Sequence, residues 1–213
     1  HAHVRQVRQG TRAGAPRTRR SRPCAGWLRQ SRRQVGSTFK PFVYATALRL
    51  GAEPCDEFPN QKTCIDLPPG SDPPRWCPDN SDEDYGEMVT LEYALANSMN
   101  TVTAKLIKDY GTKRVIDLAH ALGIKSDIPN VPSIALGVAQ LTLRELVSAN
   151  ASIVNHGVYV EPTFIARIED RFGNPVYEPQ QEIRQGLDDR TAHRVLQLYS
   201  SRNHWRLLGL SVF

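Results

Sequence analysis

Helix start and stop signals divide this chain into two regular stretches separated by a long proline-rich one. Residues 36–50 and 90–157 carry apolar side chains at helical spacing, with capping residues before several segments and glycine after them. Residues 52–89 carry seven prolines, and a loop of this length is usually functional or held by a specific contact. The pattern therefore predicts a mainly helical body interrupted by one long irregular excursion.

The caps and spacings predict individual helices and one hairpin. Ser37 stands at the start of the first helix, with Pro41 in its first turn, where a missing N–H costs little. Thr112 is predicted to cap the fourth helix, and Thr142 with Glu145 forms a capping box before the fifth. The predicted helices span 36–50, 90–96, 101–110, 112–123, 142–155 and, capped by Asp188 or Asp189, a segment ending at 198; the predicted hairpin spans 163–177.

Charge is distributed unevenly along the chain. Residues 1–33 contain ten Arg, no Lys and no acidic residue, whereas the rest contains 17 Lys and Arg against 22 Asp and Glu. Clustered Arg is typical of an arm that binds nucleic acid or another anionic surface. A reading-frame error in GC-rich coding sequence would give the same aperiodic composition, and we favour that interpretation. The acidic body argues against nucleic-acid binding by the fold itself.

The four cysteines do not have the spacing of a zinc site. Cys55, Cys64 and Cys77 lie in the proline-rich stretch, and Cys24 lies in the Arg-rich one. One disulfide among the first three is compatible with an oxidising compartment, and free thiols are an equally good interpretation. The sequence does not decide which pair would bond.

The first candidate for chemistry is the pair Ser37 and Lys40, at the start of the first predicted helix. A separation of three residues puts both side chains on one helix face, one turn apart. A serine hydroxyl needs a base to become a nucleophile, and a partly desolvated lysine can be neutral enough to be that base. The helix N-terminus also offers N–H groups to a developing oxyanion. The alternative is that Ser37 only caps the helix and that Lys40 is an exposed charge.

The second candidate is a Ser-x-Asn motif, which occurs three times in the sequence. The copy at 148–150 lies inside a predicted helix and is interpreted as structural, and the copy at 201–203 lies in the patternless end. Ser98 and Asn100 lie between two predicted helices, where side chains can point into a cleft. A proton-relay serine and a substrate-binding amide would be useful there; the alternative is that either residue caps the following helix.

These motifs together resemble the transpeptidase domain of class A, or bifunctional, penicillin-binding proteins, whose family carries an S-x-x-K motif followed by an S-x-N motif. Ser37 and Lys40 supply the first motif, and Ser98 and Asn100 supply the second. The resemblance covers roughly residues 32–199. It is carried, in order, by segments 33–44, 89–91, 94–101, 132–137, 141–142 and 155–157 and by the strand pair within 168–176.

The resemblance implies an α/β fold, a partial penicillin-binding protein and β-lactamase-like transpeptidase fold that is mainly helical with an incomplete sheet. It implies that Ser37 is the acylated nucleophile and Lys40 its base, that Ser98 relays a proton, and that Asn100 binds the peptide amide of the substrate. That substrate would be a peptidoglycan stem peptide ending in D-Ala-D-Ala, and β-lactams would acylate the same serine. No cofactor, metal or nucleic acid is implied, and the location would be the cell envelope, on the periplasmic side of the inner membrane.

The sequence also departs from the family pattern. The third family motif, Lys-Thr-Gly or Lys-Ser-Gly, does not occur, since the one Lys-Thr pair, at Lys62, is followed by Cys. We therefore expect a truncated transpeptidase domain over residues 32–199, without the glycosyltransferase domain and membrane anchor. We expect residues 1–31 to be a non-native or disordered segment and residues 200–213 to be a non-native end. We expect this chain to be impaired as an enzyme. The alternative is a non-catalytic fragment or interaction module with the same scaffold.

Overall fold

A computed structural model of the protein describes residues 31–81 and 83–200. Within that part, the α-helices are α1 (Lys40–Arg49), α2 (Leu91–Ala96), α3 (Asn100–Tyr110), α4 (Thr112–Ala121), α5 (Leu143–Val154) and α6 (Asp189–Ser200), and two 3-10 helices span Gly36–Phe39 and Pro132–Leu136. The strands are β1 (Arg32–Gln34), β2 (Glu57–Pro59), β3 (Ile65–Asp66), β4 (Arg75–Trp76), β5 (Met88–Thr90), β6 (Gln140–Thr142), β7 (Val158–Val160), β8 (Ile168–Glu169), β9 (Pro175–Tyr177) and β10 (Ile183–Gln185).

The strands pair two by two and antiparallel. The pairs are β1 with β6, β2 with β5, β3 with β4, β7 with β10 and β8 with β9. No larger sheet forms among the described residues. The structure is thus mainly helical with small sheets, as the sequence predicts.

Helix α1 is the centre of the core. All of its residues from Lys40 to Leu48 are buried, and it contacts α2, α3, α4 and α6. A helix that is apolar on nearly every face has to be surrounded by other elements, and the sequence of α1 meets that condition except at Lys40, Thr46 and the exposed Arg49 at its end. Lys40 is the only charged residue that is buried in the described part of the chain. The core therefore fixes the position of this lysine.

The proline-rich stretch 52–89 is more ordered than predicted. It contains strands β2 to β5, which the sequence did not indicate because runs of two or three residues are too short to show a period. A disulfide joins Cys64 to Cys77 beside the β3–β4 pair, and Cys55 is a free, exposed thiol. The hypothesis of one disulfide is confirmed, and its pairing is now known.

Several predicted boundaries are confirmed. The side chain of Thr142 accepts from the Glu145 N–H, and the Glu145 carboxylate accepts from the Thr142 N–H, so the capping box is present. Asp188 Oδ1 accepts from the N–H of Thr191 at 2.8 Å and caps α6. The predicted hairpin is the β8–β9 pair.

Two predicted caps are wrong. Thr112 is the first residue of α4, and the capping position is Gly111, whose φ of 84° ends α3 and turns the chain into α4. The Thr112 hydroxyl donates to Asn130 instead. Ser37 lies inside a 3-10 helix that precedes α1, and neither of these two helices has a side-chain cap.

The predictions for the Arg-rich segment up to residue 30, for Cys24, and for residues 201–213 with their Ser-x-Asn copy lie outside the described residues. Of the helices that are described, none combines the length and the apolar character needed to cross a membrane.

Candidate active site

The segment before Ser37 is held by a close approach to the turn after the second 3-10 helix. The Gly36 N–H donates to Gly137 O at 3.0 Å, and the Val35 N–H donates to Ala139 O at 3.2 Å. Gly137 has a φ of 74°, and a Cβ at this position would lie 1.9 Å from the Gly36 carbonyl oxygen. Only glycine fits here, so Gly137 determines how closely the two segments approach and where Ser37 lies.

Ser37 is half-buried and is not used as a cap. It lies in the first turn of its 3-10 helix, where the N–H of Ser37 comes too early in the helix to have an acceptor within it. This N–H donor therefore lies next to the Ser37 hydroxyl. Such a donor can stabilise the negative charge that develops on a carbonyl oxygen when the hydroxyl oxygen attacks the carbonyl carbon.

Lys40 brings together three of the four predicted site residues. Its Nζ donates to Ser98 Oγ at 2.9 Å, to Asn100 Oδ1 at 2.7 Å and to the Ser98 carbonyl oxygen. An ammonium has three N–H donors, and these three acceptors engage all of them. The predicted contact between Lys40 and the Ser37 hydroxyl is not among the hydrogen bonds of the described residues.

Burial changes the acidity of Lys40. Its side chain is 0% exposed, and no ion pair to it occurs within residues 31–81 and 83–200. Removal from water without a compensating negative charge lowers the pKa of Lys40 from 10.5 to about 7. Near neutral pH a large fraction of Lys40 is therefore a neutral amine with a free electron pair, which can accept a proton.

Ser98 adopts a backbone conformation that is uncommon for a residue with a Cβ. Its φ is 53°, in the left-handed region, and it lies in the short junction between α2 and α3. Such a conformation costs on the order of 1–3 kcal/mol and is found most often at functional sites. Here it directs both the carbonyl oxygen and the hydroxyl of Ser98 to the same lysine.

Asn100 is held from two sides by a segment of the proline-rich stretch. Its N–H donates to Asn80 Oδ1 at 2.8 Å, and its Nδ2 donates to the Asp79 carbonyl oxygen at 2.7 Å. Sequence reasoning missed Asn80 and Asp79. The sequence placed the start of this helix at 101 with Ser98 or Asn100 as a possible cap, whereas α3 begins after Met99, which cannot cap a helix and leaves the first N–H groups to an acceptor from elsewhere.

The Ser-x-Asn copy within α5 uses its side chains differently. Ser148 Oγ donates to Arg144 O at 2.8 Å, and Asn150 Nδ2 donates to Leu146 O at 2.9 Å. Both are bonds to the preceding turn of the same helix, which is a structural use. Of the two copies that the structure describes, the one at Ser98 contacts Lys40.

The family follows from comparison with known proteins. The family model described as the penicillin-binding protein transpeptidase domain matches residues 6–198. The chain belongs to this family. It is 32% identical over 164 residues to penicillin-binding protein 2D of Bacillus subtilis, covering 76% of this chain and 23% of that protein. It is 34% identical over 148 residues to penicillin-binding protein 1A of Rickettsia prowazekii, covering 70% of this chain and 19% of that protein. It thus spans less than a quarter of either relative, and the resemblance to class A members is confirmed.

Solved structures show the same fold. Penicillin-binding protein 1A from Haemophilus influenzae has a TM-score of 0.74 at 23% identity, with 84% of this chain and 32% of that chain covered. The imipenem acyl-enzyme complex of penicillin-binding protein A from M. tuberculosis has a TM-score of 0.71 at 19% identity, with 88% and 48% covered. The predicted fold class, a partial penicillin-binding transpeptidase fold, is confirmed.

Proposed function

We propose that the protein is a serine-type peptidoglycan D,D-transpeptidase. The observation that carries the proposal is a fully buried lysine, Lys40, with a pKa lowered to about 7 and one helical turn from Ser37. The alternative, a non-catalytic module on the same scaffold, gives no reason for a buried lysine without a counter-charge, which costs stability. In this proposal, residues 32–199 are part of the transpeptidase catalytic domain.

In the proposed acylation, neutral Lys40 accepts the proton of the Ser37 hydroxyl as the serine oxygen attacks the penultimate carbonyl of a stem peptide ending in D-Ala-D-Ala. The N–H of Ser37 donates to the oxyanion. The C–N bond then breaks, and the terminal D-Ala leaves as an amine. The proton that it needs comes from the Lys40 ammonium through the hydroxyl of Ser98, 2.9 Å from Nζ.

The second half-reaction uses the same groups in reverse. The amine of a neighbouring stem peptide attacks the ester carbonyl, loses a proton through Ser98 to Lys40, and releases the Ser37 oxygen, which regains its proton. The new amide is the cross-link. A β-lactam follows only the first half, because its ring amide opens and the departing nitrogen stays attached, which leaves the acyl ester in place.

Asn100 has capacity left for substrate. One N–H of its Nδ2 is taken by Asp79, and one electron pair of its Oδ1 is taken by Lys40. A side-chain amide has two N–H donors and two acceptor electron pairs, so one of each stays free. We propose that the free N–H and the free electron pair of Asn100 bind the peptide amide of the stem peptide.

The proposed location is the cell envelope, on the periplasmic side of the inner membrane. Family membership supports it, and so does the Cys64–Cys77 disulfide, because disulfides persist in oxidising compartments. These 213 residues contain no Lys-Thr-Gly or Lys-Ser-Gly, which supplies an oxyanion donor and binds the substrate carboxylate in the family. One such donor is worth about 10²–10³ in rate, so we expect a polypeptide of these residues to be acylated slowly and to form no cross-links.

Labelling with fluorescent penicillin tests the proposal. We expect slow, covalent labelling of the 213-residue chain and none of Ser37→Ala. The matched control is Ser148→Ala, which removes the half-buried serine of the other Ser-x-Asn copy and should label like the unmodified chain. Equal labelling of Ser37→Ala and the unmodified chain would contradict the proposal.

A further inference from the structure

Helix α3 is capped by a residue from a distant part of the sequence. The Asn80 side-chain oxygen accepts from the N–H of Asn100 at 2.8 Å and from the N–H of Thr101 at 3.1 Å. These are two of the N–H groups in the first turn that have no acceptor within the helix. Met99, which occupies the helix's own capping position, has no capping side chain and is buried in the core at 4% exposure. The start of α3, and with it Asn100, is therefore positioned by Asn80.

Asn80 is itself fixed by a buried polar network. It is 5% exposed, and its Nδ2 donates to Asn60 Oδ1 at 2.7 Å and to Asp84 O at 2.9 Å. Asn60, 2% exposed, donates from its own Nδ2 to Asp84 O at 2.9 Å, and its Oδ1 accepts from the Thr101 hydroxyl at 2.8 Å. The Asn80 nitrogen faces two acceptor oxygens and its oxygen faces two N–H donors, so only one orientation of the Asn80 amide satisfies the network.

The same segment also fixes which way the Asn100 amide points. Asp79 O accepts from Asn100 Nδ2, which leaves Asn100 Oδ1 facing Lys40 Nζ at 2.7 Å. A rotated amide would present N–H donors to the lysine and lose both bonds. The groups of this segment that bond Asn100 are the Asp79 carbonyl oxygen and the Asn80 amide oxygen, which are uncharged. The carboxylate of Asp79 pairs with Lys62 at 2.7 Å.

We propose that Asn80, held by Asn60, is a positioning residue for the acylation of Ser37: it sets Asn100 and, through it, Lys40 in the geometry that the reaction needs. This inference rests on the proposed function. A cap that served only stability could come from a serine or asparagine at position 99. The network instead connects the stretch that contains the Cys64–Cys77 disulfide to Lys40, through Asn80 and Asn100. A cap that only stabilised α3 would not need this connection to the lysine.

The first test is the kinetics of acylation of the 213-residue chain by a fluorescent penicillin over a range of concentrations. In Asn80→Ala, the first-order acylation constant should fall by about 10²-fold, as for a reacting group displaced by about 1 Å, while the concentration giving half-maximal rate changes little. The control is Asn150→Ala in α5. It removes an amide that donates to Leu146 O and accepts from the hydroxyl of Tyr199 in α6. It should lower the melting temperature and leave the acylation constant unchanged.

The second variant, Asn80→Asp, separates positioning from folding. Its carboxylate keeps an acceptor for both N–H groups of α3 but loses the donors to Asn60 Oδ1 and Asp84 O, so the acylation constant at alkaline pH should lie between those of Asn80→Ala and the unmodified chain. Its negative charge favours the Lys40 ammonium, so the midpoint of the acylation pH profile should move upwards. If Asn80 only stabilised the fold, the labelled fraction would fall in both variants while the rate constant of the folded protein stayed the same.

An acylation constant for Asn80→Ala equal to that of the unmodified chain would overturn the inference. If Asn80→Ala does not fold, an acylation constant for Asn80→Asp at alkaline pH equal to that of the unmodified chain overturns it. Loss of labelling in Ser37→Ala alongside either of these results leaves the transpeptidase proposal standing, whereas undiminished labelling of Ser37→Ala refutes that proposal first.

Discussion

Replacing Lys40 with methionine should change how the stability of the protein depends on pH. Methionine has a similar unbranched length and no titratable group. The pKa of Lys40 is lowered by burial from 10.5 to about 7, whereas in the unfolded chain the lysine titrates near its ordinary value. Between these two pH values the unfolded state binds one more proton than the folded state. The free energy of unfolding of the unmodified chain therefore rises with pH across this range, and that of Lys40→Met lacks this rise.

The size of the effect follows from the pKa difference. One proton bound by the unfolded state alone gives a slope of about 1.4 kcal/mol per pH unit. Because the folded Lys40 has a pKa of about 7, the slope is small at pH 6 and nearly complete at pH 9. Integrated over that interval, the stability difference between the unmodified chain and Lys40→Met should shift by about 2.5 kcal/mol in favour of the unmodified chain. The hydrogen bonds lost in the variant add an offset that does not depend on pH.

Urea unfolding followed by circular dichroism at four pH values between about 6 and 9 measures this difference. The control is Lys125→Met, because Lys125 is exposed and its pairing with Glu161 raises its pKa, so it stays charged throughout. Its curve should run parallel to that of the unmodified chain. A parallel curve for Lys40→Met as well, within about 0.5 kcal/mol, would mean that Lys40 is fully charged in the folded protein and would refute its assignment as a base.

Further outcomes follow from the same geometry. The rate of β-lactam acylation should rise with pH through about 7, since the neutral form of Lys40 is the reactive one, and Lys40→Arg should be inactive at every pH; a flat profile would contradict this. Gly137→Ala should lower the acylation rate by at least about 10²-fold, because its Cβ would collide with the segment before the nucleophile, and an unchanged rate would show that this close approach is not needed. Replacing both Cys64 and Cys77 with serine should lower the free energy of unfolding by about 3 kcal/mol in urea titrations, the loop-closure value for this separation, whereas Cys55→Ser should change it little; equal effects would argue against the pairing.

The sequence predicted those elements whose signals are local. The capping box at Thr142 and the cap at Asp188 depend on side chains three residues from the N–H groups that they bond, and both are present. The strands within 52–89 could not be predicted, because each consists of two or three residues and forms only by pairing with a distant segment. The cap expected at Thr112 failed for a related reason, since Asn130, which lies outside the local window, takes its hydroxyl.

The candidate site was predictable as a set of residues and not as a set of contacts. The motifs and the position of Ser98 between two helices singled out the residues that contact Lys40. The complete burial of Lys40 could not be predicted, because it depends on the packing of four helices around α1. Asn80 was missed because it lies 20 residues before Asn100, and a single contact between distant residues produces no periodic pattern in the sequence.

The most direct test of the central claim is to find where a β-lactam attaches. The 213-residue chain is incubated with penicillin G for hours near pH 8, above the pKa of Lys40, and analysed by intact-protein mass spectrometry and peptide mapping. We expect one adduct with the mass of the whole antibiotic, located on Ser37 and missing in Ser37→Ala. An adduct on Ser98 or on the exposed thiol of Cys55, or no adduct at any pH, would contradict the account.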